Sequence, residues 1–414
     1  MASMILLAAE PLDAFPLDAA SETGIQRLEG VRLVQQGKVA GRKLPSGARL
    51  QSSQIHLQLL DRPDFILPKV DKRFTAQVVQ LLGAERKDYS ISVLDLSDPR
   101  HVRLAAYRAN VVRNPASVGK ILVALALFQA LADIYPHDIA ARERVLRQTY
   151  IIADAFIHKD HHRVPFWLPE QQRLQKRRLV EGDSANLWSW LDWMLSPSSN
   201  AAASMVMKNI LLLRHFGRAY PASEELSADY FKQRSRQILH DDLLSALLHP
   251  LSLHGINTDR CRQGSFFTKA GKRRVVGTNS ICTTRALLHY VVLMEQGKLV
   301  DAWSSLQIKR LLYLTRHRIR YGSSPSLAAA ALYFKSGSFY GCKAEQGFVC
   351  KKYQGNRFNI MNSVAIVAWP AQAPKLRYVV TLTSNVLRKN SAVSHQLLAT
   401  KLHALLQNLH GVRP

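Results

Sequence analysis

The chain has 414 residues, which allows one large domain or two smaller ones, and its hydrophobic content of 47% is enough for a sizeable core. It has 56 lysines and arginines against 30 aspartates and glutamates, and the net charge of +26 favours anionic partners. There is no zinc-finger or RNA-binding signature, and Gln129 and Asp133 break the apolar run after Lys120. We therefore expect neither a specific nucleic-acid partner nor a transmembrane segment.

Residues 1–63 are predicted to form a β-rich N-terminal extension. The short alternations of apolar and polar residues at positions 31–34 and 55–59 are typical of half-buried strands, and the glycines and proline between them favour turns. The extension contains no motif that indicates chemistry.

The first twenty residues make a poor secretory signal. No lysine or arginine precedes their apolar stretch, and the acidic residues Glu10, Asp13 and Asp18 follow it. We expect a mature form of the chain in which a start codon replaces the signal.

A helix is predicted at residues 71–82 from the spacing of its apolar residues. An alternating strand at residues 89–96 follows, and after a turn at Asp98 and Pro99 a second strand returns over residues 102–112. This hairpin leads the chain to Ser117.

The middle of the chain, residues 136–332, is predicted to be mostly helical, with helices at 187–195, 243–248, 284–295 and 306–314. Two later strands and a C-terminal helix are predicted at 364–369, 378–382 and 394–409. Strands from both ends of the chain are expected to share one antiparallel sheet flanked by helices, with an all-helical lobe beside it. The predicted fold class is therefore α/β (α+β).

One catalytic domain is predicted at residues 64–414. Its α/β lobe would comprise residues 64–125 and 330–414, and its helical lobe residues 126–329.

Ser117 and Lys120 lie at the start of an apolar helix that is predicted to be buried. A spacing of three residues places both side chains on one helical face. Because a buried lysine loses its charge readily, its neutral amine can take a proton from the serine. This Ser-x-x-Lys pair is therefore a candidate nucleophile with its base, although an N-cap serine beside a solvated lysine has the same pattern.

Two further motifs carry groups that could serve the same site. Ser198 and Asn200 lie at a helix junction, where a hydroxyl can relay a proton and an amide can position a lysine or a substrate carbonyl; helix capping is the alternative. Lys335, Ser336 and Gly337 lie on a predicted strand, where the glycine allows close backbone approach and the lysine would help to lower the pKa of Lys120. For the Lys335 motif, the third of the three, a turn with an exposed lysine is the alternative.

The three motifs Ser117-Val-Gly-Lys120, Ser198-Ser-Asn200 and Lys335-Ser-Gly337 resemble, in this order, those of the penicillin-recognising serine enzymes. That superfamily comprises the serine β-lactamases and the D-alanyl-D-alanine peptidases. The sequences around the motifs, including Pro115-Ala116-Ser117 and residues 282–287, look like the class A β-lactamase branch. The resemblance covers about residue 71 to the C-terminus and implies a β-lactamase/transpeptidase-like fold.

The resemblance also implies an acyl-serine mechanism. Ser117 would attack an amide carbonyl, Lys120 would be the base that activates it, and Ser198 would carry the proton to the leaving nitrogen. The substrate would be bound by Asn200, Lys335, Ser336, Gly337 and Ser338. The backbone N–H groups of Ser117 and Ser338 would form the oxyanion hole.

The motifs depart from the superfamily pattern at two positions: Ser199 replaces an aspartate, and Ser336 replaces a threonine. The chain also lacks a Glu-x-x-Leu-Asn segment, which carries the deacylating glutamate in class A enzymes. Glu224 and Glu225 lie in roughly the right region, but the pattern favours solvated residues at a helix start. We therefore expect an acyl-enzyme formed from a β-lactam to be long-lived.

These observations predict a serine hydrolase of the cell envelope, periplasmic or secreted, that acts on an amide next to a carboxylate. A peptidoglycan stem peptide ending in D-Ala-D-Ala is the example we favour. The alternatives are a class A-like β-lactamase and an envelope module that binds penicillin without turnover or binds polyanions. No cofactor or metal is expected, and an anionic envelope polymer is a candidate partner because of the net charge.

The four cysteines, Cys261, Cys282, Cys342 and Cys350, lack the spacing of a zinc site. Two disulfides in an oxidising compartment and four buried thiols are both compatible with the sequence.

Two polar segments could add functional groups. Asp160, His161 and His162 could suggest a metal site, but a solvated loop is the favoured interpretation. The basic run at residues 316–321 could form an anion patch at the site entrance or a plain basic surface.

Overall fold

The computed structural model describes residues 19–315 and 318–412. The predicted N-terminal processing concerns residues outside this range, and Arg316 and His317 of the basic run are also outside it. The helices are α1 Ala19–Thr23, α2 Gln26–Gln35, α3 Lys72–Gln80, α4 Lys120–Ile134, α5 Ile139–Gln148, α6 Leu187–Leu195, α7 Asn200–Phe216, α8 Glu224–Gln233, α9 Arg236–Leu253, α10 Lys269–Arg274, α11 Thr284–Glu295, α12 Ala302–Tyr313 and α13 Ser391–Leu409. The strands are β1 Tyr89–Asp95, β2 Arg103–Tyr107, β3 Tyr150–Ile152, β4 Val164–Leu168, β5 Arg173–Arg177, β6 Ser184–Asn186, β7 Cys261–Arg262, β8 Ile281–Cys282, β9 Ala331–Gly341, β10 Phe358–Trp369 and β11 Leu376–Asn385.

Five strands from the two ends of the chain form one antiparallel sheet in the order β2-β1-β11-β10-β9. In its register Ile91 lies opposite Leu382, and Ser336 lies opposite Ser363. The predicted sharing of one sheet by early and late strands is therefore confirmed. Because β9 is at the edge, one side of this strand is free to face another part of the chain.

Both faces of the sheet are covered, as the alternation along β10 illustrates. Val364 and Ile366 belong to the core shared with the helical part of the chain, whereas Ala365 and Val367 belong to a second core. That second core includes Phe74 of α3 and residues of α13. The predicted mixed fold, with helices on both sides of the sheet and a helical region beside it, is confirmed.

Helix α4 is the central helix of the main core. Residues 120–131 are all buried because the helix is apolar on every side. By length and composition the segment Ala116–Ile134 could cross a membrane, contrary to our expectation, but 83% of its scanned window is buried inside the protein. Such burial is typical of the core helix of a globular domain.

The strand predicted at residues 31–34 is wrong, because these residues belong to α2. Leu28, Val31 and Val34 are buried at helical spacing, and four residues were too few to distinguish that period from alternation. Arg27 in the same helix forms a buried ion pair with Asp192 of α6. The helix is therefore part of the main core.

The strand predicted at residues 55–59 is also wrong, although its alternation is real. Ile55, Leu57 and Leu59 are buried, but the backbone here pairs with helices instead of a strand. The N–H of Gln58 donates to Glu295 Oε2 at 2.7 Å, and the N–H of Leu59 donates to the backbone oxygen of Glu295 at 3.0 Å. From residue 19 to residue 88 the structure describes no strand, so the β-rich character is refuted for that part of the extension.

The central region is less purely helical than predicted, since it contains the short strand pairs β3–β6, β4–β5 and β7–β8. The proposed boundaries at residues 63, 125 and 330 stay predictions. The described residues before position 63 do contribute Leu28, Leu50 and Ile55 to the main core.

Candidate active site

The candidate nucleophile lies on a 3₁₀ turn, Ala116–Gly119, that continues directly into α4. Ser117 is partly exposed, whereas Lys120 is fully buried. Lys120 Nζ donates a hydrogen bond to Ser117 Oγ at 2.9 Å. The predicted pairing of the two side chains is therefore present, and the solvated-lysine alternative is wrong.

The second motif meets this pair through Ser198 and Asn200. Lys120 Nζ donates to Asn200 Oδ1 at 2.7 Å and to the backbone oxygen of Ser198 at 2.8 Å, and Ser198 Oγ lies 3.4 Å from the same nitrogen. Ser198 has a left-handed backbone with φ of 65°, which is unusual for a residue with a side chain. Strained backbone of this kind is often found at functional sites.

The third motif approaches from the edge strand β9. Lys335 Nζ donates to Ser198 Oγ at 2.8 Å, so the Ser198 hydroxyl lies between the two lysine amines. Lys335 is 3% exposed, which refutes the turn with a solvated lysine. Gly337 lies so close to the nucleophile turn that a Cβ placed there would be 2.5 Å from the backbone nitrogen of Ser117.

Burial dominates the electrostatics of the two lysines. It lowers the pKa of Lys120 to about 7, because desolvation disfavours the ammonium more than the charge of Asp160 favours it. Burial also holds the pKa of Lys335 well below its usual range, and the positive charges of Lys120 and Arg320 act in the same direction. Near neutral pH, Lys120 can therefore serve as a proton acceptor.

Arg320 joins the site at its β9 side. Its guanidinium donates to Ser336 Oγ at 2.8 Å and to Ser338 Oγ at 3.0 Å, and it lies 3.3 Å from the hydroxyl of Tyr353. Among the described residues of the basic run, 318–321, it is Arg320 that donates to the predicted substrate-binding serines. The run indicated a positive patch, but nothing in the sequence distinguished Arg320 from its neighbours.

The interpretation of Asp160 as part of a solvated loop is wrong. Its side chain is only 5% exposed, and one carboxylate oxygen accepts from Ser199 Oγ and from the N–H of Ala201, both at 2.9 Å. The other oxygen accepts from His162 Nδ1 at 2.5 Å. Donor atoms of Asp160, His161 and His162 lie within 4.8 Å of one another, but both oxygens of the carboxylate are already engaged by protein donors.

Glu224 and Glu225, the weak candidates for a deacylating base, lie in the exposed first turn of α8. The carboxylate that acts on the charge of Lys120 is that of Asp160. The expectation that these two glutamates are solvated helix-start residues agrees with their position.

A disulfide-closed loop covers the other side of Lys120. Cys261 and Cys282 are bonded and lie opposite each other in the β7–β8 pair, and a second disulfide joins Cys342 to Cys350. Between the first two cysteines, the ring of Phe267 lies 4.7 Å from Lys120 Nζ. Strand β8 also pairs with Arg113, just before the nucleophile turn. The loop is therefore attached to the candidate site at several points.

Two substitutions of Phe267 should shift the pKa of Lys120 in opposite directions. A cation over an aromatic face gains about 0.5–2 kcal/mol, whereas burial of a lysine can lower its pKa by about 3–5 units. Phe267→Leu keeps the apolar cover but loses the ring, so the pKa of Lys120 should fall by about 0.4–1.5 units. Phe267→Ala should admit water and raise it. The midpoint of the pH dependence of Ser117 acylation measures both, and a midpoint in Phe267→Leu equal to that of the wild type would show that the ring does not act on Lys120.

A cleft of about 870 Å³ lies elsewhere in the helical region. It is lined by Tyr150, Phe231 and the ion pair of Lys208 with Asp154, and none of the motif residues borders it. Its charges are mixed, since its lining also includes Arg273, Arg274, Glu181 and Glu224.

Comparison with known proteins identifies the fold. The structure resembles a β-lactamase from Sphaerobacter thermophilus with a TM-score of 0.51 and 14% identity, over 82% of this chain and 98% of that chain. For a β-lactamase from Chitinophaga pinensis the TM-score is 0.50 at 13% identity, over 82% and 100% of the two chains. For the TLA-3 extended-spectrum β-lactamase it is 0.52 at 10% identity, over 82% and 98%. The chain has the serine β-lactamase fold.

No protein-family model matches the sequence, and the search of curated proteins found no match. At 10–14% identity the three likenesses concern the β-lactamase fold alone. The predicted membership of this fold is therefore confirmed, and the closer likeness to the class A branch stays a prediction.

Proposed function

We propose that this β-lactamase-fold protein is a serine acyl hydrolase that forms an acyl-enzyme on Ser117. The observation that carries the proposal is the set of hydrogen bonds around one buried amine. Lys120 Nζ contacts Ser117 Oγ at 2.9 Å and Asn200 Oδ1 at 2.7 Å, and its pKa is lowered by burial to about 7. A serine beside a neutral amine is an activated nucleophile.

In the proposed reaction, Ser117 Oγ bonds to the carbonyl carbon of an amide as its proton passes to Lys120 Nζ. The backbone N–H groups of Ser117 and Ser338 would stabilise the resulting oxyanion. The carbon–nitrogen bond then breaks, and the leaving nitrogen takes a proton from Ser198 Oγ. Ser198 would regain a proton from Lys120 or Lys335, which lie 3.4 and 2.8 Å from its oxygen.

The proposed substrate carries a carboxylate next to the scissile amide, as does a peptidoglycan stem peptide ending in D-Ala-D-Ala. Lys335, Ser336, Ser338 and Arg320 form a cationic, hydroxyl-bearing end of the site. Among the described residues, Arg320 makes no ion pair with a protein carboxylate, and its buried Nε has no hydrogen-bond partner. An incoming carboxylate would also restore the ammonium form of Lys335, because an opposite charge favours the charged form.

Slow hydrolysis of the acyl-enzyme is part of the proposal. A hydrolytic water needs a base, and both oxygens of Asp160 are engaged by protein donors. Phe267 covers a further side of Lys120 with an apolar ring. These features favour a peptidase-like enzyme over an efficient β-lactamase.

We place the protein in the periplasm or outside the cell, where peptidoglycan is found. The two disulfides suit an oxidising compartment. The net charge of +26 would favour retention on anionic envelope polymers, and that retention should weaken as salt is added.

The test is intact-mass measurement over time with benzylpenicillin, on the wild type and on Ser117→Ala. We expect one acyl adduct on the wild type that lasts far longer than one catalytic cycle of an ordinary hydrolase. We expect no adduct on Ser117→Ala. A parallel assay measures D-alanine release from a peptide ending in D-Ala-D-Ala. A short-lived adduct with hydrolysed penicillin would favour the β-lactamase alternative instead. An adduct on both proteins, or neither adduct nor D-alanine release, would refute the acyl-serine proposal.

A further inference from the structure

The turn that carries Ser198 and Asn200 is held by a carboxylate from another part of the chain. Asp160 accepts from Ser199 Oγ and from the N–H of Ala201, the second residue of α7, both at 2.9 Å. Ser199 in turn accepts from the N–H of Ala202 as the N-cap of α7. These bonds fix the two residues on either side of Asn200.

This arrangement bears on the departure of the second motif from Ser-Asp-Asn. Position 199 holds a serine where the superfamily motif has an aspartate, so the turn itself lacks a negative charge. The carboxylate of Asp160, 5% exposed, lies within hydrogen-bond distance of the serine hydroxyl. The negative charge that an aspartate at position 199 would place in the turn is thus present beside the turn, on Asp160.

The same carboxylate acts on Lys120, whose ammonium form it favours. Among the described residues, the other charged or titratable groups near Lys120 are Arg320, whose charge disfavours the ammonium, Lys335, whose pKa is lowered by the charge of Lys120, and His162, which is bonded to Asp160. The disulfide-closed loop contributes Phe267, which does not titrate. Within the part of the chain that the structure describes, Asp160 is therefore the negative group in a cluster that is otherwise positive or neutral.

We infer that Asp160 is a positioning residue of the candidate active site, which holds the Ser198–Asn200 turn against Lys120 and supplies from a separate loop the negative charge that position 199 lacks. This role presupposes the acyl-serine function proposed above. It has two separable consequences: the turn is ordered by hydrogen bonds, and the protonation of Lys120 is set in part by the carboxylate.

The test is the pH profile of Ser117 acylation by benzylpenicillin in Asp160→Asn, Ser199→Ala and the double variant Asp160→Asn with Ser199→Asp. Asp160→Asn should lower the plateau rate by about 10- to 100-fold, the effect of losing hydrogen bonds to a charged group. It should also move the rising limb of the profile, where the acylation rate increases with pH, to lower pH. The reason is that the carboxylate that favours the ammonium form of Lys120 is gone. Ser199→Ala removes two hydrogen bonds, to Asp160 and from the N–H of Ala202, without changing the charge, so it should lower the plateau and leave the limb in place.

The double variant tests whether a carboxylate at position 199 can replace that of Asp160. An aspartate at position 199 should return the limb towards that of the wild type and recover at least tenfold of the lost rate. His162→Gln is the control for the neighbouring histidine, and it should leave the limb unmoved. An unchanged limb in Asp160→Asn, or the same shift in His162→Gln, would overturn the role of Asp160.

A substrate-free measurement separates this role from the proposed function. The Lys120 ammonium can be titrated by NMR on lysine-labelled protein, with Lys120→Met identifying the signal and circular dichroism confirming that each variant is folded. A lower pKa of Lys120 in Asp160→Asn is expected whether or not penicillin reacts. If that pKa is unchanged, the role of Asp160 fails even where acylation succeeds.

Discussion

Replacing Lys120 by methionine should lower the rate of Ser117 acylation by about 10²–10⁴-fold, the usual contribution of a positioned general base. Methionine keeps the unbranched apolar stem and removes the amine that contacts Ser117 Oγ at 2.9 Å. Because the buried amine would be replaced by an apolar group of similar length, the folded state should persist, and thermal unfolding checks this. The rate is measured from the growth of the acyl adduct in intact-mass spectra.

The pH dependence of the wild type tests the same role of Lys120. Only the neutral amine can accept the serine proton, and burial lowers the pKa of this group to about 7. The acylation rate should therefore rise with pH through about 7 and reach a plateau above it. An unperturbed lysine, with a pKa near 10.4, would leave the rate still rising at pH 9.

The matched control is Lys120→Arg, which keeps a positive charge but cannot lose its proton at these pH values. If Lys120 acts as the base, the arginine variant should be as slow as the methionine variant over the whole range. If it acts only through its charge, arginine should retain much of the rate. A pH-independent rate in the wild type would contradict a base of lowered pKa.

The pairing of Ser117 with Lys120 could be predicted because it is local. Three residues on a helix fix the distance between the two side chains, and the apolar residues that follow require burial of the lysine. The contact of Lys335 with Ser198 is different, since it depends on how β9 packs against the turn before α7. The spacing of apolar residues contains no information about how β9 packs against this turn. The contact could be expected only because the order of the three motifs resembles that of the penicillin-recognising enzymes.

The residues that were missed act through contacts between distant segments. Asp160 looked like part of a polar loop, yet its carboxylate is bound by a turn about forty positions later in the chain. Phe267 belongs to no motif in the sequence, and its ring lies against Lys120 only in the folded chain. No local pattern distinguishes such residues, because their surroundings are created by tertiary packing.

The prediction of strands in the N-terminal extension is wrong for a related reason. The alternation of Ile55, Leu57 and Leu59 correctly predicted which side chains are buried. It could not predict the hydrogen-bond partner, which is Glu295 of α11 and not a second strand. An extended segment with one buried side becomes a strand only when another strand lies beside it.

The close approach of β9 to the nucleophile turn leads to a second large effect, expected for Gly337→Ala. The added Cβ would lie 2.5 Å from the nitrogen of Ser117, 2.8 Å from the oxygen of Pro115 and 2.9 Å from the nitrogen of Val118. All three are backbone atoms, so a side chain cannot rotate away, and the strand and the turn must separate. We expect acylation to fall by about 10²–10³-fold, as when one oxyanion donor is lost.

The stability of Gly337→Ala should fall as well, by about 1–3 kcal/mol, because overpacking shifts the backbone in a well-packed region. Gly341→Ala is the matched control on the same strand. Its Cβ would approach the ring of Phe358 at 2.6 Å, a side chain that can move, and Gly341 lies four residues from Gly337 along β9. This control should lose stability without a comparable loss of acylation.

Comparing the two glycine variants separates a general effect on β9 from one on the candidate oxyanion hole. A loss of acylation confined to Gly337→Ala is expected, because only that methyl group would push β9 away from the nitrogen of Ser117. If both variants lose acylation in proportion to their loss of stability, weakened folding explains the result. If Gly337→Ala acylates at the rate of the wild type, Ser117 and Ser338 do not form one oxyanion site, and the donors must be sought elsewhere around Ser117.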